Sequence, residues 1–256
     1  MTAMTNIKTL WSLASYTFSS SIRNRFFPLF AIFSFVLLYA SVLGSMLSIS
    51  HEERVLADIS LLLIEILCFV YAVFQISNAF SEEIRNKNIY LILSRPVPRH
   101  LCLAGKELGI ILSVAFMTAV LSIMAAFVIK TRGLAVPDFF LWAAAGIFIK
   151  ITILTAFSFL LSLLSTSNIT PFLLSFLLYI LGHVTSQLEP LMQKASGLKF
   201  MLLKTCALIF PNFNLYSARE LPIDGCPFTF LSISAAVLWI LAAYMLSAWI
   251  FSKKEF

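Results

Sequence analysis

The sequence predicts an all-α membrane protein with six transmembrane helices. Of its 256 residues, 60% are hydrophobic and only 12% are charged, whereas about a quarter of the residues in a soluble globular domain are charged. The mean hydropathy is +0.95. The chain also contains six apolar stretches of about 20 residues, the length that crosses a bilayer core. We therefore expect residues 1–256 to form a single transmembrane domain, and we find no basis for nucleic-acid binding.

The first predicted element is an amphipathic helix over residues 5–25. Its pattern is typical of a helix that lies in the membrane surface, and a helix packed on the protein's own spans gives the same pattern. The apolar run that follows is predicted to be a retained span, because no short basic region precedes it. The apolar face carries Ile7, Leu10, Trp11, Ala14, Phe18 and Ile22, opposite Lys8, Ser12, Ser15, Ser19 and Arg23.

Six apolar runs define the predicted spans, each long enough to cross the membrane at 1.5 Å per residue. The fifth is the shortest, and its start is marked by Thr170 and Pro171, a typical N-cap followed by proline at the first helical position. The predicted spans lie near 27–47, 59–80, 108–129, 139–164, 170–187 and 227–251.

The distribution of Lys and Arg predicts the orientation. Ten of the 18 basic residues fall on the side of the two termini and residues 81–107, and seven fall on the other side. The remaining one, Lys150, lies inside the fourth predicted span. Because cytoplasmic loops carry the excess of basic residues, we expect both termini and residues 81–107 to be cytoplasmic and the 188–226 loop to lie outside.

The predicted outside loop has two unlike halves. Residues 190–210 are apolar but contain Lys194, Lys199 and Lys204, and the following residues contain helix-breaking proline and glycine. Two short helices that dip beside the bundle fit this pattern better than a free loop. Cys206 and Cys226 both fall in this loop, so a disulfide between them remains open, and no cysteine spacing is typical of a zinc site.

Residues 81–109 form the only strongly charged block, SEEIRNKNIYLILSRPVPRHLCLAGKELG. It opens with Glu82 and Glu83, continues through Arg85 and an Arg-Pro-x-Pro-Arg turn, and ends with a Gly-Lys pair at the start of the third span. A charged segment between two spans is typical of a docking surface for a cytosolic partner.

This block resembles the membrane subunits of type-2 ABC exporters. In that family an acid pair leaves span 2, a helix follows, and a Leu-x-x-Pro-x-x-Arg-like turn leads to a Gly-Lys pair. The equivalents here are Glu82 and Glu83, the run Leu93 to Arg99, and Gly105 with Lys106. The resemblance runs from Asp58 through Gly109, and the later stretch IFPNFNLYSARE and the six-span layout with an N-terminal amphipathic helix also match, so the similarity covers nearly the whole chain. One departure is Asn88, where many relatives carry threonine.

The resemblance implies a dimer, with a second copy or a paralogue, in the bacterial inner membrane. Two cytosolic ABC ATP-binding subunits would dock on it and bind ATP and Mg²⁺, so this chain itself would hold no cofactor. It also leaves room for a periplasmic or extracellular accessory protein. The residues it assigns to coupling are Glu82, Glu83, Arg85, Arg95, Pro96 and Arg99.

The motifs argue against an enzyme. Gly105-Lys106 is followed by Glu107 and has no upstream glycine at Walker spacing, so the chain is not predicted to hydrolyse ATP itself. The His51-Glu52 pair lacks the second histidine of a zinc protease. Gly105 and Gly109 form a Gly-x-x-x-Gly pattern, which predicts close helix packing at the start of span 3.

Two charges fall inside predicted spans, Glu65 in span 2 and Lys150 in span 4. Each costs about 2.5–3.5 kcal/mol or more at mid-membrane unless it is paired or hydrated. They either contribute to a polar substrate path or form a structural ion pair, with Lys150 alternatively reaching water. Further polar candidates for the path are Gln75, Asn78, Tyr179 and His183.

These observations predict the permease subunit of an ATP-driven exporter. The alternative is a membrane scaffold or maturation factor that does not transport. Few charges line the spans, so a lipid, a peptide or a hydrophobic small molecule is easier to accommodate than a polyanion. The sequence does not identify the substrate or distinguish a homodimer from a heterodimer.

Overall fold

A computed structural model describes residues 2–24, 26–46, 52–85, 99–165, 169–194, 197, 199–201, 204–205, 210–217 and 228–253. Within these ranges the chain is all-helical, with seven long α-helices, further helical residues at 199–201 and 204–205, one short 3₁₀ helix and no strand. The α-helices are α1 (Thr2–Arg23), α2 (Phe26–Ser45), α3 (Glu52–Arg85), α4 (Arg99–Thr131), α5 (Phe139–Leu164), α6 (Ile169–Lys194) and α7 (Phe230–Lys253), and the 3₁₀ helix is Phe213–Tyr216.

Five of these helices are long and apolar enough to cross a membrane. The apolar segments are Phe27–Gly44, Glu52–Ser77, His100–Thr131, Phe139–Leu164 and Leu231–Lys253, which belong to α2, α3, α4, α5 and α7. In α6 the apolar part is shorter and covers Ile169–Thr185. The prediction of an all-helical, membrane-embedded protein is therefore confirmed, with five helices of spanning length among the described residues.

Several helix boundaries differ from the predicted ones, among them those of α3, α4 and α6. Helix α6 begins at Ile169, one residue before the predicted cap, and continues to Lys194, so the first part of the predicted outside loop is helical. Helix α3 continues to Arg85 and α4 begins at Arg99. Both ends of the predicted 81–107 segment therefore belong to the flanking helices, and residues 86–98 lie outside the described residues.

Helices α3 and α5 occupy the centre of the bundle. Two-thirds (67%) of each apolar segment is buried, compared with 22% in α2 and 17% in α7. Helix α3 packs against α2, α4, α5 and α6, while α5 also contacts α4, α6, α7 and the 3₁₀ helix. A polar side chain on the buried face of α3 or α5 is thus held away from lipid, whereas α2 and α7 present many apolar side chains outward.

The N-terminal helix packs along the start of α4. A Cβ atom at Gly105 would lie 2.7 Å from Leu13 Cβ, and one at Gly109 would lie 2.5 Å from Thr17 Cβ. The Gly-x-x-x-Gly pattern therefore lets α1 approach α4 closely. Ile7 and Trp11 remain 68% and 65% exposed on a neighbouring face, so α1 both packs on the bundle and keeps an apolar surface.

Candidate functional site: a buried charge cluster

Glu65 and Lys150 meet in the centre of the bundle. The Lys150 ammonium donates a hydrogen bond to Glu65 Oε1 at 3.1 Å, and the two side chains are only 3% and 5% exposed. Helix α3 supplies the carboxylate and α5 the ammonium. Both groups are buried because other helices surround α3 and α5. This contact offsets the desolvation free energy that either charge alone would cost in an apolar interior.

Helix α6 adds two further groups to the same oxygen. His183 Nε2 lies 3.1 Å from Glu65 Oε1, and the Tyr179 hydroxyl donates to it over a longer 3.4 Å. Tyr179 and His183 are four residues apart, so they lie one above the other on one face of α6. Three helices therefore converge on a single carboxylate oxygen.

The partners of His183 define where its protons lie. Its Nδ1 is 3.0 Å from the Tyr179 backbone carbonyl, which only accepts, so Nδ1 must carry a hydrogen. Its Nε2 faces a carboxyl oxygen of Glu65, and a hydrogen bond there needs a proton on one of the two atoms. The imidazole therefore links the backbone of α6 to the Glu65 side chain of α3.

The 3₁₀ helix packs against α5 and α6 and adds a further contact to the cluster. The Lys150 ammonium donates a 2.8 Å hydrogen bond to Ser217 Oγ, which directly follows this helix. The start of the 3₁₀ helix is fixed by Asn212, whose side-chain oxygen accepts a hydrogen bond from the Asn214 N–H at 3.1 Å. This satisfies one of the amide groups that a helix start leaves without a partner.

Two glycines allow the 3₁₀ helix to lie this close. A Cβ atom at Gly146 of α5 would overlap the Tyr216 carbonyl oxygen, and one at Gly182 of α6 would overlap the Phe213 ring. Any larger residue at these positions would push the 3₁₀ helix outward. The reach of Ser217 to Lys150 therefore depends on the two small residues.

Further hydrogen bonds anchor this segment at both ends. The Tyr216 hydroxyl donates to the Ser232 carbonyl at 3.0 Å, which ties the 3₁₀ helix to α7. Burial raises the pKa of the Tyr216 phenol, so it stays a neutral donor. At the other end, the Thr185 hydroxyl of α6 lies 3.4 Å from the Pro211 carbonyl.

Aromatic rings line one side of the cluster. The Phe69 and Tyr179 rings are stacked at 4.7 Å, and the His183 ring lies 4.5 Å from Tyr179 and 5.6 Å from Phe213. His183 is 33% exposed, in contrast to Glu65 and Lys150. Of these three side chains, His183 is therefore the most accessible.

The structure brings together four of the residues that the sequence marked as intramembrane candidates: Glu65, Lys150, Tyr179 and His183. Gln75 does not join them. Its side-chain amide donates to the Ser21 carbonyl at 3.2 Å and to the Tyr71 hydroxyl at 3.0 Å. It lies ten residues, or about 15 Å, further along α3, so it connects α3 to α1 at a distance from the charge cluster, and its place in a polar path stays a prediction.

The remaining candidates lie at the ends of α3 and α4 or outside the described residues. Asn78, Glu82, Glu83 and Arg85 are on the last turns of α3, with side chains outside the described part of the chain. Arg99 is the first residue of α4, and its side chain is likewise not described. Arg95, Pro96, Cys206 and Cys226 fall outside the described residues altogether.

Sequence reasoning missed the contribution of Ser217. It lies 67 residues after Lys150 in the chain, and no periodicity relates a loop residue to a distant helix. Gly146 and Gly182 were a usable signal, since a glycine within an apolar helix often marks a close approach. Within the described residues no group of three or more His, Cys, Asp or Glu could hold a metal ion.

Comparison with protein families gives one match. Residues 53–256, from the second residue of α3 to the end of the chain, match a family described as Protein of unknown function (DUF2705). The match includes every residue of the charge cluster. No curated protein matches the chain.

Proposed function

The chain belongs to the DUF2705 family, and from its own residues we propose that it is the membrane permease subunit of an ATP-driven exporter. In this proposal α2 to α7 form six spans in a bacterial inner membrane, with both termini cytoplasmic. Two copies, or this chain and a paralogue, enclose the substrate path. Separate ABC ATP-binding subunits supply the energy and bind ATP and Mg²⁺.

The observation that carries the proposal is the length of α3. Its 34 residues extend about 51 Å, well beyond a hydrocarbon core of about 30 Å. The apolar part ends at Ser77, and the helix continues for eight more residues, about 12 Å along its axis, to Arg85. A rigid helix therefore leads directly from the central charge cluster to the acid pair at Glu82 and Glu83.

This continuity supports a mechanical role for the segment. A partner that moves the end of α3 also displaces Glu65, because both lie on one helix. Glu65 is bonded to α5 and α6, so movement at the charged end reaches the helices that enclose the polar cluster. Residues 81–107 carry the motif that resembles the coupling segment of type-2 exporters, and in this proposal they form the docking surface.

The test is co-purification with an ATP-binding subunit from native membranes, using charge reversal at the two ends of α3. We expect Glu82→Lys with Glu83→Lys to reduce the co-purified ATPase and its turnover by about tenfold or more, the effect of losing 1.4 kcal/mol or more at an interface. The reason is that these acids would face the partner directly.

The matched control reverses the acid pair at the opposite end of the same helix, Glu52→Lys with Glu53→Lys. Glu52 makes only a partly exposed ion pair with Arg132 at 3.6 Å, which is worth about 0–1 kcal/mol. This control should retain the ATPase. Equal retention by both double variants, or no ATPase with the wild type, would favour the non-transporting scaffold instead.

A further inference from the structure

A cavity lies between α4 and α7, away from the charge cluster. Its volume is about 200 Å³, larger than the engineered cavity of about 150 Å³ that holds benzene in another protein. It is therefore large enough for a small ring or a short alkyl chain. Its walls are formed by Ala104, Leu108 and Ile111 of α4 and by Ile240, Leu241 and Tyr244 of α7.

One acidic residue, Glu107, also lines this cavity. It is only 4% exposed, and neither carboxyl oxygen has a hydrogen-bond partner in the part of the chain that the structure describes. A buried carboxylate without a partner is costly because it has lost its hydration. A ligand that supplies the missing partner of Glu107 would remove this cost.

The neighbouring polar groups do not satisfy Glu107. The Tyr244 hydroxyl donates its hydrogen to the His100 carbonyl at 3.0 Å, so that proton is already used. Lys106 precedes Glu107 in the chain, but successive residues on a helix point about 100° apart. The Tyr244 ring remains as an aromatic wall of the cavity.

We propose that this cavity binds a primary ammonium compound with an apolar body. The ammonium pairs with the Glu107 carboxylate, the apolar body occupies the aliphatic walls, and the Tyr244 ring attracts the cation through its face. A ligand of this class supplies the missing partner of Glu107 and fills the apolar volume at once. The proposal does not depend on the docking of an ATPase.

The test compares 2-phenylethylammonium with its neutral analogue ethylbenzene, using the full-length protein in phosphatidylcholine nanodiscs and empty nanodiscs as the blank. Binding is measured by titration calorimetry and by the rise in unfolding temperature. We expect the ammonium compound to bind about 10- to 100-fold more tightly than ethylbenzene, the range for a hydrogen bond to a charged group. Glu107→Gln should abolish this difference while ethylbenzene still binds.

A matched pair of tryptophan variants tests the location. Leu241→Trp fills the cavity and should abolish binding of both compounds. Leu238→Trp places the same ring one turn earlier on α7, at a side chain that is 66% exposed, and should leave binding unchanged. Equal affinity for the two compounds, a preference that survives Glu107→Gln, or unchanged binding in Leu241→Trp would each overturn the proposal.

Nanodiscs that contain phosphatidylethanolamine identify the source of the ammonium group. If the lipid headgroup occupies the cavity, the apparent affinity for 2-phenylethylammonium falls about tenfold or more, as expected for a competitor present well above its dissociation constant. An unchanged affinity identifies a free amine as the occupant. Both results assign an ammonium group to Glu107, and a fall that persists in Glu107→Gln contradicts it.

Discussion

At the scale of single residues, the contact between Glu65 and Lys150 explains how two charges persist in an apolar bundle. The sequence left two interpretations of these residues open, path element and structural pair, and variants distinguish them. Replacing either residue alone leaves the other charge buried without its main partner. Replacing both residues removes the desolvation cost of the two charges together with their mutual attraction.

We therefore predict that Glu65→Leu and Lys150→Met each lower the free energy of unfolding by about 3–5 kcal/mol. The double variant should lose less than the sum of the two. The measurement is thermal unfolding in detergent for the four proteins of the cycle. Strictly additive losses would contradict the pairing, and loss of ATP turnover in a double variant of near-normal stability would favour the path.

The same residues show how far a sequence leads to a site. Charged residues within apolar runs are costly, so Glu65 and Lys150 were identifiable without a structure. Helical periodicity placed Tyr179 and His183 on one face of α6. The depth of Gln75 was not resolved, because polarity along a span indicates a helix face but does not identify the neighbouring helix. No local signal connects Ser217 to Lys150.

At the scale of elements, the 3₁₀ helix is positioned by glycines on the helices beneath it. Hydropathy predicted the long helices because each is a continuous apolar run, but it provided no signal for a four-residue helix inside a loop. The close approach at Gly146 is what brings Ser217 to the cluster. A substitution there tests whether this contact is rigid.

We predict that Gly146→Ala lowers the free energy of unfolding by about 1–3 kcal/mol, the usual cost of inserting a methyl group into a packed interior. The added Cβ meets a backbone carbonyl at Tyr216, which cannot rotate away. Gly44→Ala is the control, since the only close atom there is the flexible end of Ile59 at 3.1 Å, and it should change stability little. Equal effects in thermal unfolding would contradict the account.

At the scale of the whole molecule, the arrangement places a polar cluster at the centre and apolar side chains at the periphery. Helices α3 and α5 carry the cluster, and α2 and α7 face outward. Hydropathy predicted this chain to be a membrane protein because the sequence contains six long apolar stretches. It could not predict which helices lie inside, since that depends on packing between segments distant in the sequence.

The orientation in the membrane is the central claim, because docking of an ATPase requires residues 81–107 to face the cytoplasm. Single cysteines at Asn86, Ala135 and Leu215, in a background without the native cysteines, report the side on which each lies. Ala135 and Leu215 are exposed in the structure, and Asn86 follows the last residue of α3. The probe is a membrane-impermeant thiol reagent applied to intact cells and to opened membranes.

The account predicts that cysteines at Ala135 and Leu215 react in intact cells, whereas the one at Asn86 reacts only after the membrane is opened. Trp11→Cys, exposed on the N-terminal helix, should behave like Asn86→Cys. The reverse pattern, with Asn86 labelled in intact cells and Ala135 and Leu215 protected, would place the charged segment outside and contradict its role in coupling.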